Sequence, residues 1–131
     1  WVIMTNHIHM IIGTKGKNKI EEIIRDFKKY TSKKIIKEIQ DNIRESRKEM
    51  LLYYFKKYGK NNIKNKEYQF WQQNNHPIEL TNSKIMEQRL QYLHENPMKA
   101  KFVEENSEWL YSSARDYETN KKGLLDITFL Y

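Results

Sequence analysis

The hydrophobic positions follow two rhythms. Residues 1–12 are apolar apart from Thr5, Asn6, His7 and His9, and they read as one buried β-strand. Side chains two apart on a strand share a face, so His7 and His9 sit side by side while Ile8 and Met10 point into the core. Gly13 ends this stretch, and residues 14–18 form a polar turn. The period then lengthens. Ile20, Ile23, Ile24 and Phe27, followed by Ile35, Ile36, Ile39 and Ile43, recur at three- and four-residue steps and predict a long helix over residues 19–42, with a break near Thr31 and Ser32. A second helix is predicted over residues 47–58, capped by Ser46 and closed by Gly59, with Leu51, Leu52, Tyr54 and Phe55 on its apolar side.

A polar, basic loop over residues 60–67 leads into an aromatic extended segment at 68–73, a turn through His76 and Pro77, and a short strand at 78–80. Asn82 or Ser83 caps the next helix, which turns Ile85, Met86, Leu90 and Leu93 inward and is stopped by Asn96-Pro97. A short helix starts at Ser112-Ser113, and residues 127–130 read as a final strand. The expected fold is α+β: an antiparallel sheet with helices mainly on one face and the histidine strand at its centre, in a single domain over residues 1–131.

Composition narrows the partners. Twenty-four Lys and Arg against 17 Asp and Glu leave a formal charge of +7, and nine Tyr and three Trp accompany it. That combination suits a nucleic-acid partner, although lysine used for solubility produces the same balance. The absence of cysteine excludes disulfides and thiolate metal sites, so any metal is held by nitrogen and oxygen. Apolar runs are far shorter than a membrane span, and no signal peptide is visible, so no membrane partner and a cytoplasmic location are expected. The chain opens at Trp1, without Met, inside what reads as a central strand. The expectation is that an N-terminal portion of the natural protein, including a partner strand, is missing.

Two imidazoles on one face of a rigid strand can supply two ligands to a divalent ion; the same pattern also describes two polar residues on a solvated face. Tyr92 and Asn96 lie one helical turn apart on one face. A metal beside Asn96 and a phenol at Tyr92 would together permit nucleophilic attack on a phosphate, while helix packing and a helix stop explain the same two residues. Lys28, Lys29, Lys33 and Lys34 can lie along a phosphate backbone or make a solvated helix face. Trp71 can stack on unpaired bases or pack in a core, and Gln72 can bind DNA or belong to a polar turn. His94 points away from Tyr92 and is expected at the surface or as a cap.

Asn6-His7-Ile8-His9-Met10-Ile11 resembles the histidine–hydrophobe–histidine motif of HUH single-strand endonucleases. Three further segments resemble, in order, the transposases of the insertion sequence 200/605 type and their relatives, the REP-associated tyrosine transposases. They are the run from Phe27 to Ile35, Tyr92-Leu93-His94-Glu95-Asn96-Pro97-Met98-Lys99-Ala100, and Trp109 through Ser112-Ser113-Ala114-Arg115-Asp116-Tyr117. Phe70-Trp71-Gln72-Gln73 is similar to the family's aromatic-glutamine segment.

The resemblance implies that His7, His9 and Asn96 hold Mg²⁺ or Mn²⁺ and that Tyr92 is the nucleophile. It implies a ferredoxin-like core and cleavage and rejoining of single-stranded DNA at hairpins through a 5′-phosphotyrosine, as in DNA transposition. Association with the bacterial nucleoid follows from that substrate. Relatives act as monomers or dimers, which leaves room for a homodimer. The alternative is a hairpin-binding protein of the same descent that does not cut. Two departures stand out: Thr5 replaces the usual proline before Asn-His, and the strand and helix that usually precede this point are absent.

Overall fold

The apolar opening stretch folds back on itself. The computed structural model describes residues 1–63, 67–119 and 121–130, and in it the expected single strand over residues 1–12 is a tight hairpin. Strand β1 (Val2–Ile3) pairs antiparallel with β2 (Ile8–His9), with Val2 opposite His9 and Ile3 opposite Ile8. The Met4 N–H donates to the His7 carbonyl at 2.8 Å and closes the turn around Thr5 and Asn6. These two polar residues break the apolar run where a turn needs them, and Asn is a turn former.

The fold is α+β, with this two-stranded sheet and five helices among the described residues. The chain separates into two compact units, one made of Trp1–Ile12 with Ile78–Tyr131, the other of Gly13–Pro77.

In the first unit, β1 is the inner strand. On its free side the Ile3 N–H donates to the Tyr111 carbonyl (2.8 Å), and the Ser113 N–H donates to the Trp1 carbonyl (2.9 Å), bridging Val2 to Ser112. The histidine strand, expected at the centre, is therefore an edge among the described residues. The buried face also changes: Val2 and Met4 enter the core with Leu90 and Leu93, whereas Met10 is exposed. Each fully buried aliphatic side chain contributes about 1.5–3 kcal/mol. Leu90 and Leu93 lie on α3 (Ser83–His94), which is capped as expected by Asn82, whose side-chain oxygen accepts from the Ile85 N–H at 2.9 Å.

Helix α3 ends at His94, within a residue of the end expected before Asn96-Pro97. After Glu95 the chain makes a further turn, α4 (Asn96–Lys99), with Pro97 in its first turn, where a missing N–H costs little. A 3₁₀ turn (Asn106–Glu108) and α5 (Ala114–Glu118) follow, the latter starting at the serines. Residues 78–80 and 127–130, expected as strands, are irregular. Leu130 packs against the core, and its N–H donates to Tyr117 Oη at 3.3 Å, so burial rather than strand pairing accounts for its apolar character.

The second unit is built on two helices that pack together. Helix α1 (Ile20–Asp41) runs unbroken through Thr31 and Ser32, whose hydroxyls donate back to the Phe27 (2.8 Å) and Lys29 (3.3 Å) carbonyls. Helix α2 (Lys48–Lys60) begins one residue later than expected, has no side-chain cap from Ser46, and continues through Gly59. The glycine is buried because the backbone of Glu67 and Tyr68 crosses directly over it. The Gln69 N–H donates to the Phe55 carbonyl (2.8 Å), and Phe70 packs against Phe55 and Trp71 with centroids 5.3 and 5.0 Å apart. Residues 64–66 of the expected basic loop lie outside the described residues.

Candidate functional site

The hairpin turn sets the two histidines. Their rings meet edge to face, with centroids 4.9 Å apart. His7 is exposed beside the turn, and His9 is half-buried opposite Val2. His7 Nδ1 lies 2.6 Å from Asn6 Oδ1. An amide oxygen only accepts, so Nδ1 carries the proton and donates, and in the neutral ring Nε2 keeps its lone pair. Burial, with the neighbouring His7 second, pushes the His9 pKa below the ordinary imidazole value and favours its neutral, ligand-competent form.

Helix α3 brings Tyr92 to this pair. Its ring lies edge-on to His9, centroids 5.6 Å apart, and the side chain stays open to solvent at 45% exposure, so its hydroxyl is not a core group. Asn96 sits one turn further on. Its Nδ2 donates to the Tyr92 carbonyl at 2.8 Å, which anchors the amide and leaves Oδ1, the atom able to bind a cation, uncommitted by that bond.

Two imidazoles and an amide oxygen make a neutral donor set with which a divalent ion of intermediate hardness is compatible. Mn²⁺ accepts imidazole more readily than Mg²⁺, which prefers oxygen. Among the described residues no group of three or more His, Asp or Glu forms a metal cluster, so any ion held here depends on the amide and on ligands brought by a substrate.

Two residues of this neighbourhood escaped the reading of the sequence. Asn6 orients His7 from the adjacent position. Lys99 places its Nζ 5.6 Å from the centroid of the Tyr92 ring and pairs with Glu95 at 2.7 Å. The signal for Lys99 was present, since it follows Tyr92 by two helical turns, but the expectation that Pro97 ended the helix concealed it. His94, expected at the surface, is 4% exposed, and its Nε2 shares a hydrogen bond of 2.9 Å with Ser113 Oγ. Burial drives its pKa down to about 4. Leu90 and Leu93 on α3 face inward, and the helix carries His94 with them into the core.

The remaining candidates belong to the second unit. Lys28 donates to the Gln72 carbonyl (2.5 Å) and to Asn75 Oδ1 (2.6 Å), which ties its ammonium to the turn after the aromatic segment, and burial lowers its pKa. Trp71 donates from Nε1 to Thr31 Oγ1 at 2.9 Å and packs between Phe27 and Phe70. Lys29, Lys33 and Lys34 are exposed on α1, and Lys34 lies over the Tyr30 ring at 6.0 Å. The Gln72 side chain faces solvent.

Comparison with known families matches residues 1–73 to the IS200-like transposases. The match takes in His7, His9 and helices α1 and α2 and ends before Tyr92. No curated protein matches the chain, and no solved structure does.

Proposed function

The chain belongs to the IS200-like transposases, proteins of DNA transposition, and on that premise we propose that it cuts and rejoins single-stranded DNA beside hairpins with Tyr92 as nucleophile. The observation that carries the reading is the approach of Tyr92, solvent-open, to within 5.6 Å of the His9 ring. A nucleophile needs an accessible hydroxyl next to groups that handle phosphate charge. Tyr92 has the first, and the histidine pair supplies ligands for the second.

His7 Nε2, a neutral His9 and Asn96 Oδ1 would hold Mg²⁺ or Mn²⁺. When bound, the ion supplies positive charge against the scissile phosphate. Tyr92 Oη forms the new bond to phosphorus as the bond to the 3′-oxygen breaks, leaving a 5′-phosphotyrosine and a 3′-hydroxyl. The phenolic proton passes to solvent, and the departing oxygen takes one back. One phosphodiester replaces another, so the step reverses on rejoining without an energy cofactor. Asn6 fixes the His7 ring by the bond that holds its Nδ1 proton. The REP-associated subtype is supported by Tyr92 through Ala100 and by Ser112-Ser113-Ala114-Arg115-Asp116, and the hairpin is read as part of a ferredoxin-like sheet.

The test is covalent capture. The full-length protein, incubated with Mn²⁺ and a pool of DNA hairpins carrying randomised single-stranded flanks, should yield an adduct that survives denaturing electrophoresis and maps to Tyr92. Binding without any adduct would leave a hairpin-binding protein that does not cut.

A further inference from the structure

We propose that Lys99 is a second catalytic residue of this site, the cation that meets the phosphoryl group as it passes to Tyr92; the assignment rests on Tyr92 being the nucleophile. Lysine is a flexible side chain with a strongly hydrated head, and on a surface helix it ordinarily points into water. Lys99 does not. Its ammonium is held at two points, over the Tyr92 ring at 5.6 Å and against Glu95 Oε2 at 2.7 Å. Glu95 is itself braced by Gln91, whose Nε2 donates to Oε1 at 2.8 Å. Gln91, Glu95 and Lys99 thus form a chain along α3 and α4 that ends at the tyrosine.

Both holds on Lys99 are weak surface interactions, since its side chain remains 59% exposed. A phosphate arriving at Tyr92 offers a better partner than Glu95, because it carries its charge to the ring that Lys99 already covers. The ammonium then exchanges carboxylate for a non-bridging phosphate oxygen, acting as a point charge.

During transfer Tyr92 Oη bonds to phosphorus, and the 3′-oxygen leaves with its electron pair and takes a proton from solvent, while the phenol's proton goes to solvent. Negative charge spreads over the phosphoryl oxygens between these events. A fixed cation stabilises that state more than the ground state, and it keeps hold of the 5′-phosphotyrosine for the reverse step. If Lys99 served only to pair with Glu95, removing either partner would have the same effect.

The experiment measures single-turnover adduct formation by the full-length protein with Mn²⁺ and the hairpin pool. Lys99→Gln should slow the adduct about tenfold or more, and Lys99→Arg should restore most of the rate. Glu95→Gln should slow the adduct far less than Lys99→Gln, because the ammonium keeps its place over the Tyr92 ring. Thermal midpoints of all three should stay near wild type. Adduct formation by Lys99→Gln within about twofold of wild type, or an equal slowing in Lys99→Gln and Glu95→Gln, would overturn the assignment while leaving Tyr92 as nucleophile. No adduct from wild type would overturn both.

Discussion

Tyr92 presents its ring edge-on to His9 at 5.6 Å, although one stands on α3 and the other on the opening hairpin. Their meeting depends on Val2, Met4, Leu90 and Leu93, one buried cluster that packs the hairpin against α3, and Val2, directly opposite His9, shares its face of the hairpin. Tyr92 itself remains open to solvent beside this packing.

Removing the Tyr92 hydroxyl therefore tests chemistry with little effect on the fold. Tyr92→Phe keeps the ring against His9 and removes only an exposed oxygen. Stability should change by no more than about 0.5 kcal/mol, and hairpin binding should persist. The covalent adduct should vanish; its survival in the variant would show that another residue attacks.

Asn6 is expected to act on metal affinity through His7. Once Asn6→Ala releases Nδ1, the ring is free to rotate and to change tautomer. Mn²⁺ affinity, followed by titration calorimetry or electron paramagnetic resonance, should fall roughly tenfold. His9→Ala removes a proposed ligand outright and should cost more. Unchanged affinity in both variants would remove the ion from this hairpin.

Gly59 decides between two opposed effects. Alanine is worth about 1 kcal/mol over glycine inside a helix, which favours Gly59→Ala. A Cβ there would collide with the Glu67 carbonyl oxygen and approach the Glu67 and Tyr68 carbonyl carbons to 2.9 Å. Backbone cannot swing aside as a side chain can, and forced packing of this kind costs about 1–3 kcal/mol. The segment that must move also carries the Gln69–Phe55 hydrogen bond and the Phe70 packing. The collision should win, and the variant's denaturation midpoint should lie below wild type.

His94 should make stability depend on pH. In the unfolded chain it binds a proton below about 6.5, whereas the folded protein resists protonation until about 4 because the ring is buried. Between these values the unfolded state holds more protons, so stability is complete above pH 6.5 and declines as pH falls toward 4. His94→Gln, which keeps a polar partner for Ser113 but does not titrate in this range, should show a flatter profile. The difference between the two proteins isolates His94 from the carboxylates that titrate lower. Parallel profiles would mean that the buried ring is not the titrating group.

Much of the second unit was legible in advance. The three- and four-residue recurrence of isoleucine marked α1 to within a residue at each end, because helical period is a local property of the chain. The end of α2 was misread at Gly59, which looks like a stop signal in sequence. Its role is instead to let residues 67 and 68 pass, and only their position reveals it. Of the site, His7, His9, Tyr92 and Asn96 were named from spacing and resemblance, and the family match covers the first two. Lys99 was hidden by a proline that stands inside a helical turn rather than at its end.

Residue order alone settled what depends on near neighbours: the amphipathic helices, the paired histidines and the exclusion of thiolate chemistry. Folding decided what depends on distant ones. Among the described residues it made the opening stretch a hairpin with its histidines on an edge, left residues 127–130 outside any strand, buried His94 and set Lys99 over Tyr92. An apolar residue states that it will be buried but not against what, since the partner is chosen by the packing of the whole unit.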